Sequence, residues 1–403
     1  MIRIKRGSHA AVLLSFVGLV GELPYKSLHL LGSVQTVRRV VEKMCVKQEY
    51  LNEETREVFE VKAFIQSGAG DKRTIRLSKT ALRLLDWVGM RKYYEDITYN
   101  CNMSSDDVHV YRNHRMAEVL FMMLRAGARY LPSAIPKLEY KGFDVTKVKS
   151  TCFYTSRQIK NMNEDESVKL KYILALGAVI SRDAAYVVYN TRDKVMRWNG
   201  LGEQKAREIM NNLAHRNTEA DESRSCMLFA NNAQAILETI KNSLKKKAIK
   251  GSDGRWYRRD SISVVDVYDH VHYVPLDEKG IRMLRILFLP SFKEKIQKVV
   301  YKKPLVAMKY SNFDGISDGI YYVNHLDGDI AKLYLLNNLL DIEKLKVTMI
   351  CFDFQYDYLK SYLKNKVNYK VITIDFLEEL LEIKNKTPNS MKSRRAYARR
   401  HFL

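Results

Sequence analysis

The segment from Gly21 to Leu85 constrains the fold of this chain more than any other. Residues 25–31 (YKSLHLL) read as a short helix, and Gly32-Ser33 supplies a turn. An amphipathic pattern then runs from 33 to about 48. Two strand-like runs follow, joined by the loop Ser67-Gly68-Ala69-Gly70-Asp71-Lys72-Arg73, and Arg76-Leu77-Ser78 leads into a further helix over 80–88. Within 33–48, Val34, Val37, Val40, Val41, Met44 and Cys45 recur at helical spacing and belong to a core-facing stripe. Gln35, Thr36, Arg38, Arg39 and Lys43 fall on the other side.

Helix, turn, amphipathic helix, hairpin and helix is the order of a winged helix-turn-helix, expected over residues 1–92. In that fold the second helix sends polar and basic side chains into the major groove of DNA. Arg38 and Arg39 suit guanine or phosphate, and Gln35 suits adenine. Lys72 and Arg73 at the wing tip suit phosphate. Spacing alone does not separate base from backbone contact. The same residues would also serve an ordinary surface helix beside an ordinary hairpin.

Charge agrees with a polyanionic partner. Lys and Arg number 68 against 46 Asp and Glu, for a formal net charge of +22. Such an excess bears on association, not on fold. It is clustered: Lys245, Lys246, Lys247 and Lys250 precede Arg255, Arg258 and Arg259, with Trp256 and Tyr257 between them. Residues 385–403 form a basic tail with no acid, carrying Lys386, Lys392, Arg394, Arg395, Arg399 and Arg400. Basic runs with aromatics suit nucleic acid, and they equally suit a solvated tail.

The five cysteines form no CxxC pair, which reads as a reduced, cytoplasmic pattern without a zinc framework. Residues 10–20 are apolar behind a basic flank, but no small-residue cleavage site follows. The run is too short for a membrane span and suits a buried first helix. No P-loop, GxGxxG, GxSxG or HExxH motif occurs.

A chain of 403 residues suggests about two to three domains. Residues 93–150 read as a polar connector with a trailing helix over 110–126, in which His114 suits a cap or core position better than a ligand's. From 151 to 384 the pattern changes to α/β. Strands are expected at 173–181, 185–190 and 194–199, then a helix at 201–213. Strand and helix next alternate: 226–230 and 233–244, 261–276 and 278–287, 320–324 and 329–340, 347–352 and 356–365, 370–374 and 376–383. Successive units of this kind imply a largely parallel sheet covered by helices.

The winged-helix order, the RLS strand-to-helix exit, the trailing helix with His114-Arg115 and the α/β domain together resemble the replication-relaxation family. Its members are carried by plasmids and conjugative elements of Gram-positive bacteria. The resemblance is best over residues 10–130. It implies a DNA-binding protein of a mobile element, acting in replication, mobilisation or their control, including transcription. Its partners would be double-stranded DNA, other replication or transfer proteins and a second copy of the chain. The family's nuclease-like acidic pattern is not carried over. Glu203-Gln204-Lys205 is an E-x-K, but it lies on an expected helix without a Pro-Asp partner.

A second chemistry is visible in Tyr268-Asp269-His270-Val271-His272-Tyr273. Alternation places His270 and His272 on one face of a strand, about 7 Å apart. Such a pair can bind a divalent metal, with Asp269 as a candidate third ligand, as in relaxases and replication initiators that nick single-stranded DNA. Tyr356, Tyr358 or Tyr362 on a helix would then be the nucleophile, with Mg²⁺ or Mn²⁺ as cofactor. The β-α order differs from the antiparallel order of those enzymes. Without nicking no cofactor is expected. Asp327, Asp329, Asp353, Gln355 and Asp375 also sit where strands end, positions that suit either Mg²⁺ or helix capping.

Overall fold

Helix α1 (His9–Val20) has almost no polar face, and it becomes the centre of what surrounds it. Ala10, Ala11, Leu13, Leu14, Phe16, Val17, Leu19 and Val20 are all buried. Ser8 caps its start by accepting from the Ala11 N–H at 3.2 Å. A Cβ on Gly18 would lie 2.5 Å from the Met90 Cβ, so only glycine admits that approach.

The computed structural model describes residues 1–100, 107–130, 150–160, 174–196, 198, 200–218, 224–245, 247–250, 254, 256–259, 262–301, 305–306 and 313–383. The chain forms two compact units, Met1–Arg125 and Ala126–Lys384, with residues 385–403 outside the described set. The fold is mixed α/β. Among the described residues no helix is long and apolar enough to cross a membrane.

In the first unit β1 (Ile2–Ile4) precedes α1, and β2 (Glu22–Pro24) runs into a 3-10 helix, Tyr25–Leu31. Next come α2 (Val34–Met44), β3 (Gln48–Asn52), β4 (Val58–Val61), β5 (Phe64–Ser67) and β6 (Thr74–Leu77). Helices α3 (Leu82–Trp87), α4 (Arg91–Asn100) and α5 (Asp107–Ala126) complete it. Four strands, not two, therefore follow α2. The β3–β4 hairpin pairs with β1, and β5–β6 pairs with β2 in the order β2-β6-β5. The expected polar connector begins as a helix, because α4 continues directly from the turn at Met90. His114 on α5 is fully buried, and Phe16 meets Phe121 edge to face at 4.6 Å.

One buried carboxylate ties these elements together. Glu22 has no side-chain exposure and lies 2.8 Å from Arg76 Nη2. It also accepts from Asn113 Nδ2 at 2.8 Å and from Thr74 Oγ1 at 3.3 Å.

The second unit opens with β7 (Cys152–Thr155), α6 (Ser156–Lys160), β8 (Gly177–Ile180), β9 (Ala185–Arg192), α7 (Leu201–Asn217), β10 (Ser225–Ala230) and α8 (Ala233–Ser243). The hairpin β11 (Lys247–Lys250) and β12 (Trp256–Arg259) follows, then α9 (Val264–Val267), β13 (His270–Pro275), α10 (Glu278–Leu287) and α11 (Phe292–Val300). Last are β14 (Gly315–Ser317), β15 (Ile320–Asn324), α12 (Ile330–Ile342), β16 (Val347–Phe352), α13 (Asp353–Leu363), β17 (Asn368–Ile372) and α14 (Ile374–Leu380).

Apart from the β11–β12 hairpin, the described strands form two mixed sheets rather than one largely parallel sheet. The first has the order β13-β10-β9-β8-β7, with β7, β8 and β9 antiparallel and β9, β10 and β13 parallel. The second has the order β14-β15-β16-β17, with only β14–β15 antiparallel. A single apolar core, including Tyr189, Leu228, Val271, Leu333, Met349 and Leu359, runs through both.

Two other expectations change. The described residues of 194–199 form no strand, because Met196 N–H bonds to Thr239 Oγ1 and Trp198 Nε1 bonds to the Ile262 carbonyl. Those contacts bury two large side chains without a ladder. The run 261–276 is broken by α9, which Ser263 caps. The basic cluster near 247–259 becomes the β11–β12 hairpin. Cys45, Cys152, Cys226 and Cys351 are free thiols, and Cys101 lies outside the described residues.

Glu22→Ala should destabilise the protein by about 3–5 kcal/mol, because it leaves Arg76 partly buried beside an empty position. Urea unfolding followed by circular dichroism measures that loss.

Candidate functional site

Each unit holds one candidate site. In the first unit α2 divides as its sequence requires. Val37, Val41 and Met44 are buried, while Val34, Val40 and Cys45 are half-buried. Gln35, Thr36, Arg38, Arg39 and Lys43 all stand in solvent, as does Glu42.

Tyr25, the first residue of the 3-10 helix, joins α2 to the β5–β6 loop. The Arg73 guanidinium lies over its ring at 3.9 Å from the centroid, and that of Arg38 lies at 5.3 Å. Such contacts are favourable because the ring face is electronegative. Arg73 Nε also donates to Gln66 Oε1 at 3.0 Å, and Gln66 Nε2 donates to Cys45 Sγ at 3.3 Å. The loop's second cation is placed differently. Lys72 pairs with Asp107 at the start of α5, and this hydrogen bond raises its pKa. Lys26 pairs with Asp71 at 3.0 Å. The structure thus gathers Arg38 and Arg73 on one surface with α2 and turns Lys72 towards α5.

In the second unit the histidine pair lies at the start of β13. The two rings stack with centroids 6.0 Å apart, so alternation does put them on one face. Each is committed through Nδ1. His270 Nδ1 lies 2.6 Å from Asp329 Oδ2, and His272 Nδ1 lies 3.0 Å from the Asp327 carbonyl. A carbonyl only accepts, so the His272 proton sits on Nδ1. Asp269 points elsewhere and pairs with Arg224 at 3.1 Å. Among the described residues no group of three or more His, Cys, Asp or Glu side chains is arranged to hold a metal.

Asp329 is almost wholly buried. One oxygen accepts from Val271 N–H and from the first N–H groups of α12, and the other faces His270. Burial alone would raise its pKa. The His270 hydrogen bond, the His272 and His270 charges and the Val271 N–H outweigh burial and hold it below the usual carboxylate range. Gly328 makes the close approach possible, with φ 68° and its absent Cβ only 2.6 Å from the Tyr273 carbonyl.

His325, at the end of β15, extends the cluster. Its Nε2 lies 2.6 Å from the Tyr358 hydroxyl. Of the three candidate tyrosines, Tyr358 is therefore the one beside the histidines. Tyr356 instead meets Tyr369 edge to face at 5.2 Å, and Tyr362 lies under Lys241. Burial holds the Tyr358 hydroxyl well above its ordinary pKa. The carboxylates at other strand ends serve locally. Asp353 accepts from Phe354 N–H, Gln355 from Phe352 N–H, and Asp375 pairs with Arg282. Glu203 closes the start of α7 by accepting from Gly200 N–H.

Sequence reading did not single out Tyr25, His325 or the Tyr356–Tyr369 pair. The signal available for His325 was its place one residue past a strand end, next to Asp327 and Asp329. Comparison with protein-family models, with curated proteins and with solved structures finds no match for this chain.

Burial lowers the His325 pKa from 6.5 to about 4. The unfolded chain therefore takes this proton first. His325 should cost no stability above about pH 6.5, a rising amount as pH falls to about 4, and a constant amount below, reaching about 3 kcal/mol. The Asp329 contribution has the same sign, stability falling as pH falls, but it is lost only further into acid, below its ordinary value of 3.8. Urea unfolding across this range should show the His325 slope in the native protein and a flatter curve in His325→Gln.

Proposed function

We propose that this protein binds double-stranded DNA through a winged helix-turn-helix in its first unit, with α2 as the recognition helix and the β5–β6 loop as the wing. The observation that carries this reading is the Tyr25 node, which brings Arg38 of α2 and Arg73 of the loop onto one exposed surface. The sheet order β2-β6-β5, with α1 packed on both β2 and α2, supports it, with the β3–β4 hairpin as an insertion between recognition helix and wing. The exposed Gln35, Thr36, Arg39 and Lys43 supply further groups for bases and phosphates. The net charge of +22 favours the encounter. Service to a plasmid or conjugative element, in replication, mobilisation or their control, is supported by the resemblance to the replication-relaxation family.

Gel retardation of duplex DNA over a range of salt tests the reading. Arg38→Ala with Arg39→Ala should weaken binding by about tenfold or more. If both contact phosphate, the salt slope should also fall by about two. Unchanged affinity and slope in the double variant would remove α2 as the DNA surface.

A further inference from the structure

A further surface with lysines and tyrosines lies in the other unit. Between α13 and β17 there is an open groove of about 450 Å³, lined by Tyr356, Lys360, Lys364, Asn368, Tyr369 and Val371 among others. None of its lining residues is acidic. Among the described residues β17 is the edge of its sheet, with no strand paired along its outer side.

The groove combines aromatic faces with cations. Tyr356 and Tyr369 stand nearly perpendicular, at 84°, and the Tyr369 hydroxyl is anchored by donating to the Leu359 carbonyl at 3.2 Å. The Lys360 ammonium lies 5.4 Å from the Tyr356 ring centroid, placing a charge within one nucleotide's span of an aromatic face. Neighbouring lysines are already occupied: Lys366 is held by Asn337 and Asp341, and Lys370 by the Val300 carbonyl. Lys360 and Lys364 are exposed and line the groove. Lys364 does so from a backbone position with φ 55°, where glycine would be the easier residue.

We propose that this groove binds a single-stranded polynucleotide, one base stacking on the Tyr356 ring, which Tyr369 buttresses edge to face, and the adjoining phosphates meeting Lys360 and Lys364. Stacking on a side chain needs a base whose face is free, and duplex bases already cover one another. The groove therefore selects single strands, and its contact is independent of the duplex contact made by α2.

The test uses the full chain, a fluorescein-labelled oligothymidylate and anisotropy at fixed salt, beside gel retardation of a duplex. Tyr356→Ala should weaken oligothymidylate binding by about tenfold, and Tyr356→Phe should keep it near the native value. Lys360→Gln with Lys364→Gln should weaken it and lower the salt slope by about 1.4. None of these variants should alter duplex affinity, whereas Arg38→Ala with Arg39→Ala should alter duplex affinity most. Native oligothymidylate affinity in either Tyr356→Ala or the double lysine variant would overturn the proposal. So would photocrosslinks from a bromodeoxyuridine oligonucleotide that fall only in residues 1–125, or a groove that takes an extended peptide along β17 and no oligonucleotide.

Discussion

The second unit depends on what its Asp329 carboxylate touches. Strand β13 is the edge of one sheet, and the turn after β15 belongs to the other. Without a link, each would present unpaired backbone groups to the other in a dry interior, which is costly. Asp329 closes that gap by taking the Val271 N–H, the start of α12 and the His270 ring. The Tyr273 N–H to the Gly328 carbonyl adds a backbone bond at 2.9 Å. With the two sheets joined in this way, a continuous core can pass between them, and α12 can pack on β13.

In the first unit the corresponding constraint is Glu22, but its consequence is at the surface. It uses Arg76, Thr74 and Asn113 to hold β2, β6 and α5 together, so no side chain of α2 is needed for that task. The polar face of α2 is left in solvent. Arg38 and Arg73 share Tyr25 instead of a carboxylate. A ring holds a guanidinium in place without cancelling its charge, which keeps both cations available to an anion.

Legibility in the sequence followed locality. Helix α2, strands β15 and β16 and helix α10 are readable because their side chains repeat at one period between clear stops. The His270–His272 face and the capping roles of Asp353 and Gln355 are also local facts. The division into two sheets was not readable, since the Tyr273–Gly328 and Val271–Asp329 contacts join distant segments. The run at Met196 and Trp198 has strand-like composition, yet its polar bonds go to Thr239 and Ile262, which no window of sequence contains. Tyr25 is illegible for the same reason, because its value lies in two arginines from other elements. Strand alternation puts His270 and His272 on one face, but their Nδ1 partners and the turning away of Asp269 appear only in three dimensions.

The central position of α1 has a consequence during synthesis. Its apolar surface is covered partly by α5: Phe16 meets Phe121, and the clasp around it includes Ser27 with Glu118 and Arg125 with the Leu30 carbonyl, pairs separated by 91 and 95 residues. A chain emerging from the ribosome cannot make those contacts until α5 has followed it out. At about 5–20 residues per second, residues 10–20 would stay uncovered for several seconds. In that interval the segment is an apolar stretch behind a basic flank, the form that nascent-chain chaperones and sorting factors compete to bind.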